Sequence, residues 1–157
     1  DTVGGDTNTH GSAPFSAPEV DALNGVLSGF RPDTFFSIHS GEKGLYVPHA
    51  WSTEYDTKLP EAVALSKITP GLIPEDFDIG SAGELQGRPI TGSSFDYVKD
   101  KLGAKYSYAF ELYKNASVQP YSAETCFTYF NPTTVQQYTE VTRRMAAIIL
   151  ETAANSK

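Results

Sequence analysis

Two residues at the ends of apolar stretches could do chemistry together. His39 closes Phe35-Phe36-Ser37-Ile38-His39-Ser40, whose aromatic and β-branched content reads as a short buried strand. A histidine where a strand gives way to a loop suits a metal ligand or an acid/base group. It suits equally a core histidine bonded to a backbone carbonyl. Glu111 ends a second strand over Lys105–Glu111. There Tyr106, Tyr108 and Phe110 alternate with Lys105, Ser107, Ala109 and Glu111. A glutamate at that place is a proton acceptor, or a carboxylate in solvent or paired to a lysine. Taken together, the pair suits metal-assisted hydrolysis. A neutral imidazole binds zinc, and an unligated glutamate takes a proton from water and passes it to the leaving group.

A catalytic zinc takes three protein ligands. The chain has 3 histidines, and none lies in a His-x-x-x-His pair. His10 falls in the stretch that reads as loop and His49 follows a proline after a short strand, so both read as surface residues. The residues by themselves therefore give part of a metal site. A serine hydrolase has less support, because Gly92-Ser93-Ser94 lacks the second glycine of a Gly-x-Ser-x-Gly elbow.

The elements that must position these groups follow from patterning. Residues 1–15 are rich in Gly, Thr, Asp and Pro and read as loop. Ser16 with Glu19 forms a capping-box signature, and Pro18 fits the first turn of a helix. Val20, Leu23, Leu27 and Phe30 follow at helical spacing, with Gly29 as the expected stop. A second strand is expected at Leu45-Tyr46-Val47, closed by Pro48. Residues 60–68 read as a short helix. The stretch Pro70–Ser94 shows little periodicity and reads as a long loop, a place where function often resides. A helical turn capped by Ser94 is expected over Ser94–Lys101. The last element is a long helix with Asn131 as cap and Pro132 in its first turn. Val135, Tyr138, Val141, Met145 and Ile148 form its apolar stripe. The order of helices and strands is that of an α/β protein.

Composition narrows the function classes. The chain has 157 residues, 39% hydrophobic and 20% charged, enough for one domain with a core. Net charge is −7 and no basic patch stands out, which argues against a nucleic-acid partner. No apolar run is long enough to span a membrane, which argues against a membrane partner. The single cysteine, Cys126, allows no intrachain disulfide and reads as a buried structural thiol. Asn115-Ala116-Ser117 is a glycosylation sequon, of consequence only in a secreted chain. Asp1 in place of an initiator methionine suggests a processed terminus or a piece of something longer.

The ordered motifs resemble one family. They run from Ser16-Ala17-Pro18-Glu19 through Phe36-Ser37-Ile38-His39-Ser40 and Leu45-Tyr46-Val47-Pro48. Gly92-Ser93-Ser94-Phe95-Asp96 and Lys105-Tyr106-Ser107-Tyr108-Ala109-Phe110-Glu111-Leu112 follow. Together these are similar to the zinc carboxypeptidases of the carboxypeptidase A type. The resemblance covers most of the chain, from about His10 to the last helix. It implies an α/β fold that is part of a mixed, largely parallel sheet flanked by helices. It makes 1–157 the C-terminal half of a catalytic domain, with zinc as cofactor and peptide or protein C-termini as substrates.

The resemblance also implies roles. His39 matches a zinc ligand and Glu111 the catalytic glutamate. Ser40 matches a position whose backbone helps place the substrate. Phe95 matches the base of the pocket for the C-terminal side chain, and Ser37, Ser93 and Ala109 line it. An acidic residue in place of Phe95 would signal a preference for Lys or Arg termini. Phenylalanine implies neutral or apolar ones. The chain departs from the pattern as well. The family's own His-x-x-Glu pair, which supplies the other two zinc ligands, and its carboxylate-binding arginines have no match in it, and a second chain or segment is expected to carry them. Arg88-Pro89 stands where a mobile tyrosine is expected, and Tyr113 stands where an arginine sometimes follows the catalytic Glu-Leu. The resemblance further implies a secreted, extracellular or vesicular protein. The alternative is a degenerate carboxypeptidase-like binding or structural module without catalysis.

Overall fold

Strand β4 (Tyr106–Glu111) is central to the sheet, and the rest of the fold is arranged about it. The computed structural model describes residues 13–157, so His10 lies outside the described part. The four strands run in the order β1-β4-β2-β3, with β1 at Thr34–His39, β2 at Gly44–Val47 and β3 at Asp78–Ser81. β1 lies parallel to β4, β2 antiparallel to β4, and β3 parallel to β2. The helices are α1 (Pro18–Phe30), α2 (Pro60–Leu65), α3 (Ala82–Leu85), α4 (Ser94–Asp100), α5 (Ala123–Phe130) and α6 (Val135–Asn155). The expected mixed α/β sheet flanked by helices is the one observed.

Alternation along β4 divides the core between the two faces of the sheet. Tyr106, Tyr108 and Phe110 join Leu45, Val47, Ala64, Leu65, Met145 and Ile148 on the side covered by α2 and α6. Phe36 of β1 stacks on Tyr108 with ring centroids 5.0 Å apart. On the other face Ala109 joins Tyr46, Ala50, Ala82 and Phe95, with Phe35 and Ile90 packed alongside. Enclosing a large side chain such as Phe110 stabilises by about 1.5–3 kcal/mol. β4 is buried on both faces, which is why its alternating sequence reads as half-exposed while its structure is not.

Local chemistry moved several element ends. Ser16 does not cap α1; Ala17 is the N-cap without a side-chain bond, and Pro18 takes the first turn. Gly29 stays inside the helix, and Arg31 instead adopts the left-handed conformation at φ 48°. Ser93, not Ser94, is the N-cap of α4, though without a side-chain cap bond, and the Ser94 hydroxyl is bonded to Ser37. Asn131 does not start the last helix. Its side-chain amide donates to the Phe127 carbonyl and closes α5, while Thr134 caps α6 by accepting from the Gln137 amide. The stretch 70–94 is not one loop, since it holds β3 and α3. β3 owes its form to pairing with β2, not to any alternation of its own. Helix α5 was not anticipated; Ser122 and Thr125 close a capping box at its start. Cys126 lies on this helix and is half-buried, not buried.

Candidate active site

The two chemical residues are register partners. β1 and β4 run side by side from Thr34↔Tyr106 to His39↔Glu111, so both groups stand at the carboxyl ends of adjacent parallel strands. Residues paired across a ladder project to the same face. The ladder continues one step further, where the Leu112 amide donates to the His39 carbonyl at 2.9 Å. The Gly41 amide then donates to the Tyr113 carbonyl at 2.8 Å. Gly41 holds φ 132°, and a Cβ there would meet the Phe130 ring, so the turn after Ser40 demands glycine. Ser40 itself is exposed beside this turn.

The two groups sit in different surroundings. His39 is exposed at a sheet edge, and its Nε2 is 2.7 Å from the Ser37 hydroxyl. Glu111 is half-buried, and burial raises its carboxyl above the ordinary value. Neighbouring His39 and a bond from the Glu42 backbone amide oppose that rise, while the Glu42 charge adds to it. One oxygen of Glu111, Oε2, is buried without a hydrogen-bond partner among the described residues. Burial also pushes Tyr46 up to about 12, helped by the charges of Glu42, Glu111 and Asp78. A carboxylate whose proton affinity is raised by burial is the better suited to accept a proton.

The remaining expected residues divide into those beside the pair and those beneath it. Ser37 and Ala109 are register partners one step back along the same face. Ser94 donates its hydroxyl to that of Ser37 at 3.3 Å and ties α4 to β1. Phe95 is 5% exposed and packs against Ala109 and Tyr46, so its ring belongs to the core of this face. Ser93 precedes it at the N-cap, and its hydroxyl draws the buried Asp96 carboxyl down. Burial is the larger influence on Asp96 and raises it. Its Oδ2 accepts from the Ala50 amide at 2.9 Å. His49 is apart from the pair; it is 3.0 Å from Asp100 and lies against the Trp51 ring. Arg88 is exposed after α3, and Tyr113 lines an open groove between α6 and residues 74–77.

Glu42 is a residue the sequence reading passed over. It follows His39 in the turn, its backbone bonds Glu111, and its carboxylate is 2.7 Å from Lys114. Lys114 lies over the Tyr129 ring and so links this turn to α5. A charged residue in the turn directly after a strand-end histidine was the available signal.

The donor set does not complete a zinc site. Among the described residues no group of three His, Cys, Asp or Glu side chains could hold a metal ion. His39 is one ligand where a catalytic zinc needs three, and the unpartnered Oε2 of Glu111 suits a proton acceptor better than a ligand.

With this geometry in place, comparison with known proteins identifies the class. The family model of the zinc carboxypeptidases matches residues 3–145, and the chain belongs to that family. No curated sequence matches it. Among solved structures it is similar to bovine thrombin-activatable fibrinolysis inhibitor in complex with tick carboxypeptidase inhibitor, at a TM-score of 0.67 and 21% identity. That likeness covers 93% of this chain and 47% of the other, so this chain spans about half the length of the structure it matches. At this identity the likeness speaks for the fold.

Proposed function

We propose that this chain is the C-terminal half of a zinc carboxypeptidase catalytic domain, contributing the proton-transferring glutamate and one metal ligand. Joined by a second chain or segment that supplies the other two ligands, it hydrolyses C-terminal peptide bonds. The observation that carries this is the register pair His39↔Glu111 at the carboxyl ends of parallel strands. Glu111 accepts the proton of the attacking water and returns it to the departing amine. Ser37, Ser93, Ala109 and Phe95 surround the C-terminal side chain, and their uncharged character favours neutral or apolar residues. The backbone at Ser40 helps place the peptide.

The second segment has a place to dock. α1 buries none of its residues, and Val20, Leu23, Val26 and Phe30 are exposed along it. β1 is an edge strand in the sheet as described, with Ile38 also exposed. Apolar helix faces and open sheet edges invite partners. Among the described residues no helix is long and apolar enough to cross a membrane. A secreted or vesicular location fits the family and the sequon, whose Asn115 side chain accepts from the Ser117 amide.

Two measurements test this. The mass of the native polypeptide, or of a co-purifying fragment, should include the missing half. Metal analysis of that assembly should then find about one zinc per site. A protein without zinc and without peptidase activity would favour the second reading, a carboxypeptidase-like binding module. The hold of Ser37 on His39 Nε2 at 2.7 Å favours that reading, as do Arg88 and Tyr113 at positions the family fills otherwise.

A further inference from the structure

A buried ion pair lies beneath the site. Glu61 of α2 is fully buried, and its Oε1 is 2.6 Å from the ammonium of Lys99 on α4. The same oxygen accepts from the Ser107 backbone amide at 3.1 Å. β2 pairs with β4 only over Ala109, Phe110 and Glu111, so Glu61 takes up an amide that lies beyond the end of β2. The Ser107 hydroxyl in turn donates to the Phe95 carbonyl at 2.7 Å. Phe95 and Lys99 are four residues apart on one face of α4. Lys99 also donates to the Lys105 carbonyl at 2.8 Å, just before β4 begins. The links close into a ring: Glu61, Ser107, Phe95, the backbone of α4, Lys99 and Glu61 again.

We infer that the Glu61–Lys99 pair is a positioning device for C-terminal side-chain selection, fixing α4 against β4 so that Phe95 keeps a set distance from Ala109. The inference rests on the carboxypeptidase reading proposed above. Holding a buried carboxylate against a largely buried ammonium is costly compared with packing apolar residues of the same volume, and Glu61 Oε2 has no hydrogen-bond partner among the described residues. Such a pair adds little net stability, and the two directed bonds of Glu61, to Lys99 and the Ser107 amide, hold α2, α4 and β4 in one geometry. Ser107, Ala109 and Glu111 share one face of β4. A shift of α4 along that strand therefore alters the pocket while leaving the two chemical residues where they are. A displacement of about 1 Å in such a site costs up to about a hundredfold.

The test uses the native polypeptide and peptides ending in phenylalanine or alanine. The double variant Glu61→Gln/Lys99→Met removes both charges while keeping an acceptor for the Ser107 amide. It should raise KM for the phenylalanine peptide about tenfold and leave kcat within about threefold, so preference for phenylalanine shrinks. Lys99→Arg, which keeps the charge, should retain the preference. A folded double variant with unchanged KM and unchanged preference overturns the inference. Glu61→Gln, which removes the buried charge and leaves Lys99 its bond to the Lys105 carbonyl, is the milder probe if the double variant does not fold, and the same outcomes decide it. Binding measured in a Glu111→Gln background separates the two layers. A protein that binds neither peptide fails the carboxypeptidase reading and this inference with it. One that binds both peptides with selectivity untouched by the double variant fails the inference alone.

Discussion

The two strands that carry the site, β4 and β1, are built from similar material and end in different states. β4 has β2 on one side and α6 beneath it, and its residues from Tyr106 to Phe110 are buried. β1, with α1 before it, is an edge, and its residues are half-buried or exposed. The helices repeat the contrast. α6 buries Met145, Ile148 and Thr152, whereas α1 carries an apolar stripe and buries nothing. The same division runs through the site, because Glu111 belongs to the enclosed strand and His39 to the open one. Burial has already tuned the glutamate, while the histidine stands at a boundary that a further segment would complete.

Mutations should break this contrast in order of size. Phe110→Ala on the enclosed side should cost about 3–5 kcal/mol in urea unfolding, through lost transfer energy and a cavity. Val26→Ser on α1 should stay within about 0.5 kcal/mol, since Val26 is 66% exposed. An equal loss at both positions would mean that α1 is packed in solution. Glu111→Gln should lower peptidase activity of the complete enzyme by about 10²–10⁴ while zinc content is kept. Unchanged turnover would remove Glu111 from the chemistry.

A third prediction concerns pH. Burial raises the Asp96 carboxyl, so the native state holds its proton to higher pH than the unfolded chain does. Between the ordinary value of 3.8 and the raised one, native protein binds more protons, and stability falls as pH rises through that window. Asp96→Asn removes this slope. The melting temperature of the parent should therefore decline relative to the variant on going from about pH 3.8 towards neutrality. A difference that stays flat with pH would show that Asp96 titrates normally. The smallest effect is expected at Arg144, whose bond to Glu140 at 3.2 Å is exposed on α6. Arg144→Ala should change stability by no more than about 0.5 kcal/mol, less in high salt.

Much of the site was legible because strands and their ends are written locally. The alternation of Tyr106–Phe110 and the aromatic run at Phe35 set two strands, and each placed one reactive group at its carboxyl end. What was not legible had nonlocal causes. β3 exists because β2 offers a partner, and Asp78-Ile79-Gly80-Ser81 has no strand signature of its own. Of the expected caps, Ser94 and Asn131 bond other partners, Ser37 and the Phe127 carbonyl, while Ser16 lies one residue before the N-cap Ala17.

The sequence by itself determined the residue types and their order. It set four of the six described helices, three of the four described strands, and a histidine and a glutamate able to share hydrolytic chemistry. Only the tertiary structure decided that β1 and β4 lie parallel in the register that pairs His39 with Glu111. It alone brought Glu42 to the Glu111 carboxylate and buried Glu61 against Lys99, 38 residues further along the chain. Periodicity reports which side of an element is apolar. It carries no information about which element lies opposite, and a carboxylate's proton affinity depends on that neighbour.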